Sequence, residues 1–218
     1  MAKEDTLVVH EIYSSIQGES TFAGLPCTFI RLTGCNLRCA WCDTEHAFYE
    51  GTRRPRSEVR EEALGATPQL VELTGGEPLL QPGTLLLMKE LADAGRTVLL
   101  ETSGERDIGA VDPRVHRIMD LKAPASGEDA RNRWANVPLL TERDEVKIVL
   151  ADRGDYEWAR DRIREHRLDE KAFAVLLSAV HGRLDPELVV GWILEDALPV
   201  RFQLQMHKYI WPPDQTGV

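Results

Sequence analysis

The sequence lacks the features that mark several large classes of protein. It contains no apolar run near the ~20 residues that a membrane-spanning helix needs. Its 26 lysines and arginines are outnumbered by 36 aspartates and glutamates, which gives a formal charge of −10. Because an acidic surface repels a phosphate backbone, we expect no nucleic-acid partner, and without an apolar span we expect no membrane.

The chain is also poor in cysteine, with 4 in 218 residues, and all of them lie between positions 27 and 42. A disulfide-stabilised secreted domain would spread its cysteines along a shorter chain. The opening residues MAKED contain neither the apolar core nor the cleavage site of a signal peptide. We therefore predict a cytoplasmic protein whose clustered cysteines serve metal or redox chemistry, with disulfide formation as the weaker interpretation.

Short β-branched and apolar runs alternate with segments of helical periodicity. This alternation indicates a parallel α/β sheet or barrel, and the lack of repeats and linkers predicts one domain over residues 1–218. Segment 123–143 is interpreted as a loop with a short helix. The predicted strands are 7–13, 27–33, 69–74, 97–102, 117–122, 145–151, 173–179 and 200–206, and the predicted helices are 57–65, 81–94, 155–166 and 186–197.

Polar, glycine-rich or metal-binding residues follow most predicted strands at the point where each strand ends. Because the carboxyl ends of parallel strands share one rim, these residues predict a single shared pocket. They are Gly34-Cys35, Gly75-Gly76-Glu77-Pro78, Ser103-Gly104, Lys122, Ser178 and His207-Lys208.

Three of the cysteines, Cys35, Cys39 and Cys42, form a C-x3-C-x2-C pattern on one predicted loop. Three such thiolates can bind three irons of a [4Fe-4S] cluster and leave the fourth iron open. The alternative is structural zinc with Cys27 as a fourth ligand, although Cys27 begins an apolar strand, where a buried free cysteine is common. The pattern, with Trp41 before the last cysteine, resembles the radical S-adenosylmethionine (SAM) superfamily.

A second motif, TGGEP at residues 74–78, ends a predicted strand. Adjacent glycines let the backbone approach a ligand closely, and a glutamate beside them could hold an ammonium group. Alone the motif is an ordinary tight turn, but beside the cysteines it resembles the segment of radical SAM enzymes that binds the amino group of SAM. The resemblance implies a partial parallel (β/α)6-type barrel and these SAM contacts: Trp41, Asp43, Gly76, Glu77, Ser103, Asp120, Lys122 and Ser178.

Nearly the whole chain, from about residue 11 to residue 213, resembles the 7-carboxy-7-deazaguanine synthase family. The resemblance rests on IYSSIQGES at 12–20, an arginine at 31, CDT at 42–44 and QMHKY at 205–209. It implies a Mg2+ site at Thr44 and these contacts to a carboxylated pterin: Ile16, Gln17, Gly18, Glu19, Arg31, Thr74, His207 and Pro213.

Each of these residues also has a simpler interpretation when it is taken alone. Arg31 could pair with a surface acid, Glu19 could be a solvated carboxylate, His207 could be a satisfied strand-end histidine, and Thr44 could cap a turn. Residues 214–218 extend beyond Pro213, whereas some relatives end near that proline and use their terminus at the substrate.

The resemblance further implies a radical ring contraction. A reduced cluster cleaves SAM, and the 5′-deoxyadenosyl radical removes a hydrogen atom from 6-carboxy-5,6,7,8-tetrahydropterin. Ammonia leaves, 7-carboxy-7-deazaguanine forms and SAM is regenerated. A flavodoxin or ferredoxin would supply the electron, and a homodimer is expected. The alternatives are a glycyl-radical-enzyme activase, which shares the cysteine spacing but not the other segments, and a non-enzymatic zinc-stabilised binding module.

Overall fold

The computed structural model describes residues 5–218, so most of the segment used to predict localisation lies outside the described residues. Over that range nine strands form one sheet in the order β3-β1-β2-β4-β5-β6-β7-β8-β9. The strands are β1 (Thr6–Ile16), β2 (Pro26–Leu32), β3 (Thr52–Pro55), β4 (Leu70–Gly75), β5 (Thr97–Thr102), β6 (His116–Leu121), β7 (Glu145–Leu150), β8 (Ala174–Ala179) and β9 (Arg201–Phe202).

Helices fill most of the connections between the parallel strands. The α-helices are α1 (Arg56–Gly65), α2 (Gly83–Asp93), α3 (Arg153–His166), α4 (Leu168–Lys171), α5 (Pro186–Glu195) and α6 (His207–Ile210). Short 3-10 helices cover Glu45–Phe48, Pro78–Leu80, Pro124–Ser126, Asp129–Arg131 and Trp134–Leu139. Among residues 5–218, no helix is long and apolar enough to cross a membrane.

The predicted fold class is confirmed. Strand β2 and the strands from β4 to β9 run parallel, whereas β1 pairs antiparallel with both β2 and β3. The long parallel strands β2 and β4 to β8 are the strands expected of a partial (β/α)6 barrel. The sheet remains open, because β3 and β9 form its two edges.

The structure differs from the sequence prediction in three places. Strand 200–206 shortens to the two residues of β9, because the chain then leaves the sheet and the Met206 amide donates to the Gly18 carbonyl at 2.9 Å. Strand β3 was missed, since its sequence TRRP has no apolar alternation and suits only an edge. The short helix expected in 123–143 is a series of 3-10 turns.

The two faces of the sheet have different roles. Alternate residues such as Val71, Leu73 and Leu100 pack under the helices in the main apolar core. On the opposite face, the amino-terminal halves of the strands contribute a small apolar cluster that includes Leu70 and Leu99. Further along the same face lie charged side chains at the carboxyl ends of the strands, where the site is located.

A buried ion pair fixes the far end of segment 123–143 to the sheet. Arg117 of β6 donates from Nε to Asp144 Oδ1 at 2.7 Å, and their side chains are 8% and 1% exposed. Asp144 also accepts from the amide and the hydroxyl of Thr141. The carboxylate therefore satisfies several buried donors at once.

We expect Asp144→Ala to lower the free energy of unfolding by about 3–5 kcal/mol, because it leaves the Arg117 charge buried and unpaired. Urea unfolding followed by circular dichroism measures the change. Asp93→Ala is the matched control, since Asp93 pairs with Lys89 and Arg114 in solvent and should change the midpoint little. Equal losses in the two variants would contradict the assignment.

Candidate active site

The carboxyl ends of the parallel strands surround one cavity of about 410 Å3. This is the shared pocket that the strand-end residues predict. It is lined by every predicted cluster, Mg2+, SAM and pterin residue except Glu77 and Ser178: Cys35, Cys39, Cys42, Thr44, Trp41, Asp43, Gly76, Ser103, Asp120, Lys122, Ile16, Gln17, Gly18, Glu19, Arg31, Thr74, His207 and Pro213.

The cysteine loop leaves β2 and reaches the 3-10 helix Glu45–Phe48. Its thiols are free and half-buried, and burial raises the pKa of Cys39 to about 11. Cys27 points away, into the small apolar cluster, where burial raises its thiol pKa. Its position agrees with the expected buried free cysteine.

The donor set fits an iron–sulfur cluster better than one metal ion. Four ligands of a structural zinc converge on a single point, whereas each thiolate of a cubane binds its own iron. Within residues 5–218, the three loop cysteines are not among the groups whose ligand atoms converge closely enough to share one ion. Three cysteines that line the cavity, without Cys27, therefore suit a [4Fe-4S] cluster with an open iron.

Gly75 and Gly76 lie directly against the backbone from which the cysteine loop begins. Gly75 has a φ of +141°, and a Cβ there would lie 2.1 Å from the Leu32 carbonyl oxygen. A Cβ on Gly76 would lie equally close, 2.1 Å, to the Gly34 oxygen. The amides of Gly76 and Glu77 donate to Leu32 and Gly34 at 3.1 and 2.8 Å. Glycine is therefore required for contact between two backbones.

Glu77 and Ser178 differ from the other predicted SAM contacts, because neither lines the cavity. Glu77 is 1% exposed, and its carboxylate accepts from the Leu79 amide, the Thr102 hydroxyl and both the amide and hydroxyl of Ser103. These donors occupy the carboxylate, so it braces the turn rather than facing a ligand. The Ser178 side chain is also buried, and its hydroxyl has no hydrogen-bond partner.

Asp120 and Lys122 form a charged pair beside the cysteine loop. Their Oδ2 and Nζ atoms are 2.7 Å apart, and both residues line the cavity. Burial acts to lower the Lys122 pKa, but Asp120 and then Cys39 raise it, so the ammonium stays charged. Ser103, directly after the end of β5, lines the same cavity. Together they can hold polar groups of a SAM molecule.

Arg31 lies on the antiparallel side of the cavity. Its guanidinium donates to Glu11 at 2.8 Å and to the Tyr13 hydroxyl at 3.0 Å. Arg31 therefore pairs with a neighbouring acid, as the simpler interpretation expects. The pair is not on the outer surface, however, because it lines the cavity and is only about one-fifth exposed. A guanidinium held in this way can bind a substrate carboxylate through two hydrogen bonds.

Gly18 and His207 are in direct contact across the cavity. A Cβ on Gly18 would lie 2.4 Å from His207 Nδ1, so only glycine admits the ring at this distance. Burial lowers the His207 pKa, which keeps the imidazole neutral. The pair is fixed by the amide of Met206, which donates to the Gly18 carbonyl.

Thr44 faces the cavity, and its hydroxyl donates to Asp43 Oδ1 at 2.9 Å. Although Thr44 precedes a 3-10 helix, its side chain does not cap that helix. Burial acts to raise the Asp43 pKa, but Lys208, at 2.8 Å, lowers it well below its usual range. A hydroxyl beside a charged carboxylate is a suitable oxygen donor for Mg2+.

Sequence reasoning missed two charged residues that line the cavity, Glu72 and Lys147. The signal was present, because each is a charge within an otherwise apolar strand: LVELTG and EVKIVL. Each lies on the face opposite the helices. Residues 214–218 also line the cavity, next to Pro213.

Comparison with known proteins identifies the family. The sequence profile of the Radical SAM superfamily matches residues 29–169. The chain is 46% identical to a 7-carboxy-7-deazaguanine synthase from Koribacter versatilis, over 96% of this chain and 99% of the relative. It is 48% identical to another from Chlorobaculum tepidum, over 100% of both chains. The chain belongs to the 7-carboxy-7-deazaguanine synthases.

Solved structures agree with this membership of the 7-carboxy-7-deazaguanine synthase family at the level of the fold. A crystal structure of QueE from Escherichia coli superposes with a TM-score of 0.74 and 23% identity, covering 91% of this chain and 94% of that one. The SAM-bound structure of Streptococcus suis SuiB has a TM-score of 0.52 with 13% identity, over 78% of this chain and 45% of that one. Membership of the radical SAM superfamily brings a [4Fe-4S] cluster and SAM as cofactors.

We expect Gly76→Ala to reduce the iron and sulfide content strongly after anaerobic reconstitution. The added methyl group would lie 2.1 Å from the Gly34 oxygen and 2.9 Å from Cys35 Cβ, so the cysteine loop must move. Gly65→Ala is the control, because a Cβ at Gly65 meets no atom within 4 Å. Normal iron content in Gly76→Ala would contradict the importance of this contact.

Proposed function

We propose that this chain converts 6-carboxy-5,6,7,8-tetrahydropterin into 7-carboxy-7-deazaguanine with loss of ammonia, as one domain over residues 1–218. The observation that carries the proposal is one cavity lined both by the three loop cysteines and by the QGE segment, Arg31 and His207. Neither alternative has a comparable basis, because an activase or a zinc module does not require the QGE segment, Arg31 and His207 beside the cysteines.

Cys35, Cys39 and Cys42 would hold the cluster, which with SAM supplies a carbon-centred radical when both are bound. Gly76, Ser103, Asp120 and Lys122 would orient SAM, with Trp41 and Asp43 at the loop. Glu77 acts as a positioning residue, since its carboxylate fixes Ser103 and the turn. The protein thus supplies orientation and exclusion of water rather than the radical chemistry itself.

Lys147 would organise the polar wall of the cavity between the two ligands. Its Nζ lies 2.8 Å from Glu19 and 3.9 Å from Asp120, and it also contacts Glu101. Burial opposes its charge, but Glu101, Glu19 and Asp120 raise its pKa, so the lysine remains protonated. Lys147 thereby joins Glu19, a proposed pterin contact, to Asp120, a proposed SAM contact.

Glu72 and Glu19 would then differ in protonation. Burial, followed by the Glu101 charge, raises the Glu72 pKa well above its usual value, which favours the protonated carboxyl form that can donate a hydrogen bond. Burial acts to raise the Glu19 pKa, but the Lys147 charge lowers it below its usual value. The Glu19 carboxylate therefore only accepts hydrogen bonds. A pterin presents both donors and acceptors at its ring edge, and the cavity offers partners for both.

Arg31 would bind the carboxylate of the pterin, with His207, Gln17, Thr74, Ile16 and Pro213 around the ring. Mg2+ at Thr44 would be completed by substrate oxygens and water, since one hydroxyl beside Asp43 is a weak site alone. A flavodoxin or ferredoxin is the proposed electron donor, and the proposed assembly is a homodimer without nucleic acid. We also propose a cytoplasmic location.

The decisive experiment is turnover by the anaerobically reconstituted protein with SAM, a reductant and the carboxylated tetrahydropterin, with the product detected by mass. We expect product from wild type and from Cys27→Ala, but none from Cys35→Ala, Cys39→Ala or Cys42→Ala, which should fail to assemble the cluster. Iron and sulfide analysis accompanies each assay. Cluster loss in Cys27→Ala would instead support a four-cysteine site, and a cluster-loaded wild type without product would refute the function.

Arg31→Ala should weaken pterin binding by about 2–5 kcal/mol, because the substrate carboxylate loses a desolvated charged partner. SAM affinity should remain near normal. Anaerobic binding assays measure both affinities. Arg31→Lys tests whether the two-hydrogen-bond geometry of the guanidinium matters, since lysine keeps the charge but cannot bind a carboxylate in this bidentate way. If SAM and pterin binding suffer equally, Arg31 does not have the substrate role.

Added Mg2+ should increase turnover and tighten pterin binding in the wild type. Thr44→Val keeps the shape but removes the oxygen, so it should weaken that stimulation without loss of iron, whereas Thr44→Ser should retain most of it. Steady-state rates across a Mg2+ series provide the measurement. Identical Mg2+ responses in Thr44→Val and wild type would rule out the metal role of Thr44.

A further inference from the structure

Three side chains outside the proposed cluster, SAM and Mg2+ contacts converge at the edge of the cavity. One ligand atom each from His10, Glu11 and His46 lie within 4.8 Å of one another. Among residues 5–218, no other group of three histidine, cysteine or carboxylate side chains meets this condition. Glu11 and His46 line the cavity, whereas His10 does not.

A local irregularity of β1 accounts for this convergence. Neighbouring strand residues normally point to opposite faces, but the pairing of β1 with β2 shifts register between Val9 and Glu11. Such a bulge re-aims side chains and is common next to active sites. His46 arrives from the 3-10 helix after the cysteine loop, and its ring centroid lies 4.9 Å from that of His10.

The hydrogen bond of His10 leaves it in the form that binds a metal. His10 Nδ1 lies 2.9 Å from the Glu50 carbonyl oxygen. A carbonyl only accepts, so Nδ1 carries the proton and Nε2 of the neutral ring has a free lone pair. A histidine that binds a metal characteristically donates its other ring N–H to such a carbonyl.

The other two ligands also have the expected surroundings. His46 Nε2 is buried and has no hydrogen-bond partner, which costs free energy that a bound cation would recover. Glu11 accepts from Arg31 through Oε1, and its second oxygen can bind a metal. Carboxylate ligands are usually hydrogen-bonded in this way by a neighbouring group.

We propose that His10, Glu11 and His46 bind Zn2+ or a similar divalent transition metal. Two imidazoles and a carboxylate suit Zn2+ and leave one position for water or a ligand, whereas Mg2+ prefers oxygen donors alone. The site is therefore chemically distinct from the one proposed at Thr44.

Occupancy should affect Arg31, because the metal and the guanidinium share Glu11. This consequence rests on the proposed function, whereas metal binding itself does not. Zn2+ withdraws the carboxylate charge that holds Arg31 in place, so pterin binding should weaken and KM for the pterin should rise.

The first test is calorimetric titration of the anaerobic, cluster-loaded enzyme with Zn2+. We expect His10→Gln, Glu11→Gln and His46→Gln each to weaken one Zn2+-binding event by at least about tenfold. Substituting residues that only hydrogen-bond to a metal ligand already weakens metal binding by about tenfold or more, so loss of a ligand should cost at least as much. His166→Gln, at the end of α3, is the control and should bind as wild type. Equal binding by wild type and the three variants would overturn the site.

X-ray absorption at the zinc edge separates this site from the cluster cysteines. The proposal requires nitrogen or oxygen neighbours at about 2.0–2.1 Å with imidazole scattering, and sulfur at about 2.3 Å would overturn it. In kinetic assays, Zn2+ should raise the pterin KM of wild type and have a smaller effect on His10→Gln. Zinc bound at the histidines without a change in KM would overturn the inhibitory consequence alone.

Discussion

The contact between two backbones, the end of β2 and the turn after β4, determines the geometry of the whole site. The Leu32 and Gly34 carbonyls accept from the amides of Gly76 and Glu77, with no side chain between the two segments. The cysteine loop begins at the first segment, and the proposed SAM contact lies on the second. Backbone has fewer soft torsions than side chains have. A direct backbone contact therefore fixes the cysteine loop relative to the proposed SAM contact more rigidly than a contact between side chains would.

A second constraint is the balance of charge on the cavity face of the sheet. Lys147 is placed among Glu19, Glu101 and Asp120, and an unpaired ion at this depth would cost several kcal/mol. Replacing a buried ion network with apolar residues often leaves a protein equally stable or more stable, so stability does not explain the presence of Lys147. Lys147 therefore serves to position the site, since its one ammonium orients carboxylates from β5, from β6 and from the loop after β1.

Much of the fold could be predicted from periodicity. The long parallel strands and the main helices were predicted close to their observed bounds, because buried strands and amphipathic helices have distinct apolar patterns. Strand β3 could not be predicted, since TRRP forms an edge only by pairing with Thr6–Val9 of β1. The shortening of strand 200–206 could not be predicted either, because the chain leaves the sheet where the Met206 amide donates a hydrogen bond to the distant Gly18 carbonyl.

For the site, the spacing of the cysteines and their position after a strand were sufficient to predict that they line the shared pocket, because these are local properties of the sequence. The substrate roles expected of Arg31 and His207 came instead from the resemblance to the 7-carboxy-7-deazaguanine synthase family. Only the tertiary structure decided that Glu77 turns inward to Thr102 and Ser103, that Ser178 is buried, and that Lys147 joins three acids. The physical reason is that a side chain's partners come from distant strands, and no single segment of sequence contains both members of such a pair.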